Sequence, residues 1–127
     1  MKYIYIYTTT SYSLKNWYKV GETVVNPKQR VKSQDNASNP EPLLFVDAWL
    51  VPKHLTDKKV HNQLKKLGFN CIRREWFELS DSPKEDVKQA ILKITPNIKQ
   101  FEENTPTFLS TIPIKNYTEM WWFQKSE

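Results

Sequence analysis

The chain has 127 residues, a formal net charge of +5 and a single cysteine, Cys71. A chain of this length suits one compact core. A single cysteine excludes an internal disulfide and a site built from several thiolates. No stretch approaches the ~20 apolar residues that span a bilayer. We therefore expect a soluble, cytoplasmic protein without a membrane partner, and its positive charge favours contact with polyanions.

The first predicted elements are two strands. Residues 2–10 (KYIYIYTTT) and 17–25 (WYKVGETVV) are rich in β-branched and aromatic residues and alternate with period two. The short connection between them favours an antiparallel hairpin. Tyr5 then lies on one face of the first strand, and Lys19 and Gly21 share a face of the second.

Helices and strands alternate in the following part of the chain. Asn26 and the proline after it predict a helix start, and residues 42–51 are apolar enough for a buried central strand. Residues 56–68 predict a second helix, 74–79 (REWFEL) a short strand, and Ser82 opens a third helix. The result is an α/β fold of order ββαβαβα, with a small, mainly antiparallel sheet flanked by helices.

Composition changes after Thr95, where prolines and mixed polarity replace the periodic pattern. We expect a domain over 1–95 and a carboxy-terminal tail or linker over 96–127. The tail carries Trp121, Trp122 and Phe123, an aromatic cluster that suggests docking on a further domain or a protein partner.

Several polar residues between Lys2 and Ile94 occur in a distinctive order. Taken singly, each has a structural explanation, as a sheet tyrosine, a solvated arginine or a surface ion pair. Residues 3–5 (YIY) come first and 19–21 (KVG) second, Arg30 follows in a helix, and Glu75 comes much later. This combination resembles the GIY-YIG nuclease superfamily, with YIY as the first motif and KVG as the second, where lysine replaces the tyrosine of the family name. The segments YKVGET, QRV, KKVHNQL and REWFEL are similar to the phage-associated branch, with its K-[IV]-G motif and helical histidine.

The resemblance implies a role for each matched residue. Glu75 would hold one Mg²⁺ or Mn²⁺, and Arg30 would stabilise the transition state at phosphorus. Tyr5 would orient or deprotonate the attacking water, provided that cations such as Lys19 lower its pKa. His61 is equally explained as an exposed histidine among lysines or as an auxiliary base or phosphate contact.

Other residues have supporting or structural explanations. Tyr18 is expected in the core, and Gly21 permits either a close approach or a β-bulge. A zinc site is disfavoured because the histidines and Cys71 lack a recognised spacing. Contacts to the DNA backbone are expected from exposed basic residues. These are Lys15, Lys32, Lys65, Lys66, Arg73 and Arg74.

The leading hypothesis is a metal-dependent DNA endonuclease, or the nuclease module of a larger phage, mobile-element or restriction protein. The alternatives are a non-catalytic nucleic-acid-binding module and a protein-interaction module on the same fold.

Overall fold

The computed structural model of the protein describes residues 1–36 and 39–102. Within these residues the strands are β1 (Lys2–Thr8), β2 (Trp17–Thr23), β3 (Leu44–Val51), β4 (Asn70–Arg73), β5 (Trp76–Glu78) and β6 (Lys99–Gln100). The helices are α1 (Thr10–Ser13), α2 (Pro27–Gln34), α3 (Asp57–Lys66) and α4 (Pro83–Leu92). None of these helices has the length and apolarity that crossing a bilayer requires. The aromatic cluster of Trp121, Trp122 and Phe123 lies outside the described residues.

All the strands belong to one antiparallel sheet of order β4-β5-β2-β1-β3-β6, which confirms the predicted fold class. The centre of the sheet differs from the expectation. Residues 42–51 were expected to form its spine, but β3 borders the two-residue β6, and β1 and β2 take the middle. The reason is burial, because β1 is buried at six of its seven positions, whereas β3 is only half-buried over its first part.

Three short elements were not expected from the sequence. One turn of helix, α1, is capped by Thr9, whose side chain accepts from the Tyr12 backbone N–H. The strand β4 precedes β5 and pairs with it, and because a tight turn joins the two, the expected strand over 74–79 begins only at Trp76. The two-residue β6 adds to the outer edge of β3. Each is too short to show a periodic pattern.

The two faces of the sheet carry two separate apolar clusters, as the period-2 alternation of strands requires. The main core faces α3 and α4 and includes Tyr18, which confirms its structural assignment. Its other buried members are Ile4, Ile6, Val20, Trp49, Val51, Leu55, Val60, Leu64, Phe77, Leu79, Val87, Ala90 and Ile91. The opposite face packs on α2 through a smaller cluster of Tyr5, Tyr7, Val31 and Ala48. This smaller cluster is where the candidate site lies.

The sheet continues past residue 95. Residues 99 and 100 pair with β3, and the Phe101 backbone N–H donates to the Ala48 carbonyl at 3.0 Å. The Phe101 ring also meets the rings of Tyr3 and Phe45 edge-on. The division of the chain into a domain over 1–95 and a tail over 96–127 stays a prediction.

Candidate active site

Tyr5 and Gly21 face each other across β1 and β2, at the centre of the smaller cluster. The tyrosine ring lies directly over the glycine, so that a Cβ atom on Gly21 would stand 2.7 Å from Tyr5 Oη and 2.8 Å from its Cζ. The pairing of β1 with β2 keeps its register there. Of the two explanations offered for Gly21, the structure therefore selects close approach, and the approaching group is the Tyr5 side chain.

The Tyr5 hydroxyl points toward α2. It donates to Gln34 Oε1 over 3.4 Å, and the Arg30 guanidinium, one helical turn earlier, lies close enough to act on its pKa. The position of α2 follows from its start, where the Asn26 side chain accepts from two backbone N–H groups of the first turn. On the other side the Tyr5 ring stacks on Tyr7, with the centroids 5.9 Å apart and the planes 9° from parallel.

Burial raises the pKa of Tyr5 above its ordinary value. Lys19 and Arg30 act in the opposite direction, as expected of nearby cations, but they do not overcome the loss of hydration around a residue that is only 2% exposed. The expectation of a lowered pKa is therefore wrong. In the free protein Tyr5 is a neutral phenol at neutral pH.

Lys19 and Glu75 form an ion pair beside the two tyrosines, with Nζ and Oε1 3.4 Å apart. The lysine side chain is 17% exposed and the glutamate side chain 42%. Burial acts to lower the pKa of Lys19, but the hydroxyl groups of Tyr7 and Tyr5 and the Glu75 carboxylate outweigh it and raise the pKa. The ammonium therefore stays charged next to the tyrosines.

Glu75 reaches this position because it belongs to the turn before β5. Arg74 adopts a left-handed conformation with φ of 53°, and the Val20 backbone N–H donates to the Glu75 carbonyl at 2.9 Å. Since Glu75 precedes β5, strand alternation does not relate its direction to that of Glu78. Glu78 lies opposite Trp17, on the sheet face of Trp76.

His61 lies on the other side of the sheet, in the main core. It is 9% exposed, its Nε2 donates to the Val20 carbonyl at 2.7 Å, and its ring packs on Phe77. The expectation of an exposed histidine among lysines is wrong. The ring makes a buried contact to the main chain, and its role as a base or phosphate contact stays an untested prediction.

The basic residues expected to bind DNA do not share one surface. Lys65 and Lys66 are exposed on α3, which covers the main core, whereas Lys32 is exposed on α2 across the sheet. Lys15 lies next to Trp17, and the two arginines lie at the exposed β4–β5 turn. The lysines of α3 and the candidate site therefore face different sides of the molecule.

Three neighbours of the site were not singled out from the sequence. Tyr7 shares the face of Tyr5 through the period-2 rule, and Gln34 lies four residues after Arg30 on the same side of α2. Trp76 is the cross-strand partner of Lys19. The first two could have been found from spacing alone, whereas the third depends on the register of β5.

The site offers a metal ion one carboxylate. Among residues 1–36 and 39–102 no group of three or more His, Cys, Asp or Glu side chains is placed to hold a metal. A single, half-exposed carboxylate suits a hard cation such as Mg²⁺ or Mn²⁺, which takes its remaining ligands from water and phosphate. Glu75 fits that kind of ion and does not fit a closed structural site.

Comparison with known protein families matches residues 2–95 to the T5orf172 domain. No curated protein and no solved structure gives a significant match. The matched segment covers most of the chain and contains Tyr5, Lys19, Arg30 and Glu75. The chain therefore belongs to the T5orf172 domain family, a phage-associated domain of the nuclease-related group.

Proposed function

We propose that this protein is a metal-dependent endonuclease of the GIY-YIG type that hydrolyses phosphodiester bonds of DNA. The observation that carries the proposal is a cluster of side chains on one sheet face. The Tyr5 hydroxyl donates to Gln34, one helical turn after Arg30 on α2, and the Tyr5 ring stacks on Tyr7. Lys19 Nζ lies 5.2 Å from the centre of the Tyr7 ring and 3.4 Å from Glu75 Oε1. Four residues matched by the superfamily resemblance thus lie on β1, β2, α2 and the β4–β5 turn around one cluster.

The proposed chemistry starts at Tyr5. Its deprotonated fraction takes a proton from water, the water oxygen bonds to phosphorus, and the bond to the 3′ oxygen breaks, with that oxygen taking a proton from solvent. Arg30 offers two parallel N–H groups to the non-bridging oxygens as charge builds on them. Because the pKa of Tyr5 is raised, the reactive fraction is small at neutral pH and grows as the pH increases.

Glu75 is the residue that would hold the divalent ion. When bound, such an ion polarises phosphate oxygens and stabilises their negative charge. In the free protein the Lys19 ammonium pairs with the same carboxylate, at 3.4 Å. With a divalent ion bound to Glu75, this ammonium would be released toward the hydroxyl groups of Tyr7 and Tyr5, where its positive charge favours the Tyr5 phenolate.

A second candidate function is a nucleic-acid-binding module without turnover. One contact favours it, because the Lys19–Glu75 pair already neutralises the carboxylate that a metal ion needs. The basic surface would then serve binding alone. The experiment that separates the two functions is a cleavage assay with the carboxylate removed.

Supercoiled plasmid is incubated with Mn²⁺ and the wild-type protein, Glu75→Ala or Glu78→Ala. We expect Glu75→Ala to slow nicking by roughly a hundredfold or more, comparable to losing one transition-state contact, while Glu78→Ala stays close to wild type. DNA binding, measured by fluorescence anisotropy in EDTA, should change little in either variant, since neither loses a cation. Equal nicking by wild type and Glu75→Ala would refute the nuclease assignment.

A further inference from the structure

A cleft of about 230 Å³ lies next to the candidate active site and has no role in the chemistry described above. It is called the aromatic cleft here, and its lining residues are Tyr12, Trp17, Ile72, Arg73 and Trp76. Three of the five are aromatic and one is a cation. Such a lining suits a flat, apolar ligand that carries negative charge nearby.

The three aromatic rings that line the cleft contact one another through Tyr12. Tyr12 meets Trp76 edge-on at 5.1 Å and 76°, and it meets Trp17 at 5.5 Å and 45°. The fold does not bury Tyr12, because α1 contributes no buried residue and the Tyr12 side chain is 39% exposed. A large ring is therefore presented at the surface by a helix that adds nothing to the core.

Three cations lie near the aromatic cleft. Lys15 Nζ lies 4.6 Å from the centre of the Trp17 ring, and Arg73 is exposed at the rim. Lys19 is the cross-strand neighbour of Trp76. The exposed Glu78 pairs with Trp17 across the strands but does not line the cleft. These cations would attract the negatively charged phosphates of a nucleic acid, whereas an uncharged apolar peptide would gain no such attraction.

The aromatic cleft adjoins the candidate active site through Trp76, which lines the cleft. The Trp76 ring packs edge-to-face on Tyr7 at 5.8 Å, and Tyr7 stacks on Tyr5. Trp76 also directly follows Glu75 in the chain. A nucleotide with its base in the aromatic cleft would therefore have its backbone next to Lys19 and Glu75.

We propose that the aromatic cleft binds an unpaired base of single-stranded DNA beside the scissile phosphate. Bases in an intact duplex are stacked on one another and offer no free face, so the substrate is DNA with an unpaired segment rather than uniform duplex. The position of cleavage rests on the proposed function. The binding of the base does not, because the cleft contains none of the residues assigned to hydrolysis.

The test measures binding in EDTA, without turnover. Fluorescence anisotropy compares a labelled oligothymidylate with an oligonucleotide of equal length whose sites are abasic, which keeps the phosphates and removes the bases. We expect Tyr12→Ala to weaken oligothymidylate binding roughly tenfold and abasic binding by less than about twofold, because each stacked base contributes measurably to affinity. Leu14→Ala is the matched control, since Leu14 is 85% exposed at the end of α1 and does not line the cleft.

Equal losses on both oligonucleotides, or no loss on either, would overturn the base site and leave the cleft to another ligand such as a peptide. Circular dichroism checks that Tyr12→Ala is folded, and Trp17→Leu supplies a second variant of the same cleft under the same criterion. The two proposals fail separately. A protein that binds oligothymidylate through Tyr12 but never nicks DNA refutes the nuclease, whereas a nicking protein that binds both oligonucleotides equally refutes the base site.

Discussion

Replacing Gly21 with alanine tests the geometry on which the candidate active site depends. The new Cβ would stand 2.7 Å from Tyr5 Oη and 2.8 Å from Cζ, whereas ordinary contacts begin at 3.4 Å. The ring must therefore retreat by about 0.7 Å, the difference between 3.4 and 2.7 Å. Tyr5 is 2% exposed and stacked on Tyr7, so it has little room to move.

We expect Gly21→Ala to lower the free energy of unfolding by about 1–3 kcal/mol, the usual cost of overpacking a buried site. For a domain of this size each kcal/mol corresponds to roughly 4–8 °C in the melting temperature. The displaced hydroxyl also loses its relation to Gln34 and Arg30, and a shift approaching 1 Å at a reacting group reduces the rate by up to about a hundredfold. Urea unfolding and plasmid nicking measure the two effects.

The sign of the stability change shows whether the Tyr5 ring lies over Gly21. Without a ring in the way, alanine in a strand is more stable than glycine by about 0.5–1 kcal/mol. In a Tyr5→Leu background the penalty of Gly21→Ala should therefore shrink or reverse. A neutral or stabilising effect of Gly21→Ala in the wild type would refute the close approach of Tyr5.

Gly68, the other glycine of the chain, provides the control. Its φ is +96° and no atom lies within 4 Å of its would-be Cβ. Gly68→Ala should cost about 1–2 kcal/mol through backbone strain alone. That cost should be the same in the wild type and in the Tyr5→Leu background, and nicking by Gly68→Ala at a temperature where the protein is folded should stay at the wild-type rate.

Three further predictions concern the charged groups of the site. Arg30→Lys should keep DNA binding within about twofold but slow nicking at least tenfold, because lysine cannot offer two parallel donors; near-normal nicking would reduce Arg30 to an electrostatic contact. Lys19→Met removes a cation that lowers the pKa of Tyr5, so the rising part of the pH–rate profile should move to higher pH. The double variant Tyr5→Phe, Lys19→Met should nick DNA little more slowly than Tyr5→Phe alone. Multiplicative losses of rate, or an unmoved profile, would show that the two residues act independently. Burial raises the pKa of Tyr5 in the folded state, so the unfolded state loses this proton first as the pH rises. The contribution of the Tyr5 proton to stability is therefore complete below about pH 10, the ordinary pKa of tyrosine, and is lost above it. Urea unfolding between about pH 9 and 11 should show a shallower decline of stability for Tyr5→Phe than for the wild type, and equal declines would contradict the raised pKa.

The sequence by itself determined the main elements and the face on which the site lies. Alternation along β1 and β2 is enough to place Tyr5, Lys19 and Gly21 on one side of the sheet and Tyr18 on the other. Asn26 with its following proline is enough to begin α2, the helix that carries Arg30. These inferences succeed because strand alternation and helix capping are local properties of a few neighbouring residues.

Other features were decided only when distant segments packed together. The pKa of Tyr5 depends on how completely β3, Tyr7 and α2 enclose it, and the sequence shows the cations nearby but not the loss of water. His61 is buried where α3 packs on the sheet, with its ring on Phe77 and its Nε2 donating to the Val20 carbonyl. Glu75 reaches Lys19 only because a left-handed residue turns the chain before β5. Burial and cross-strand register are set by contacts between residues far apart in the chain, so no local pattern records them.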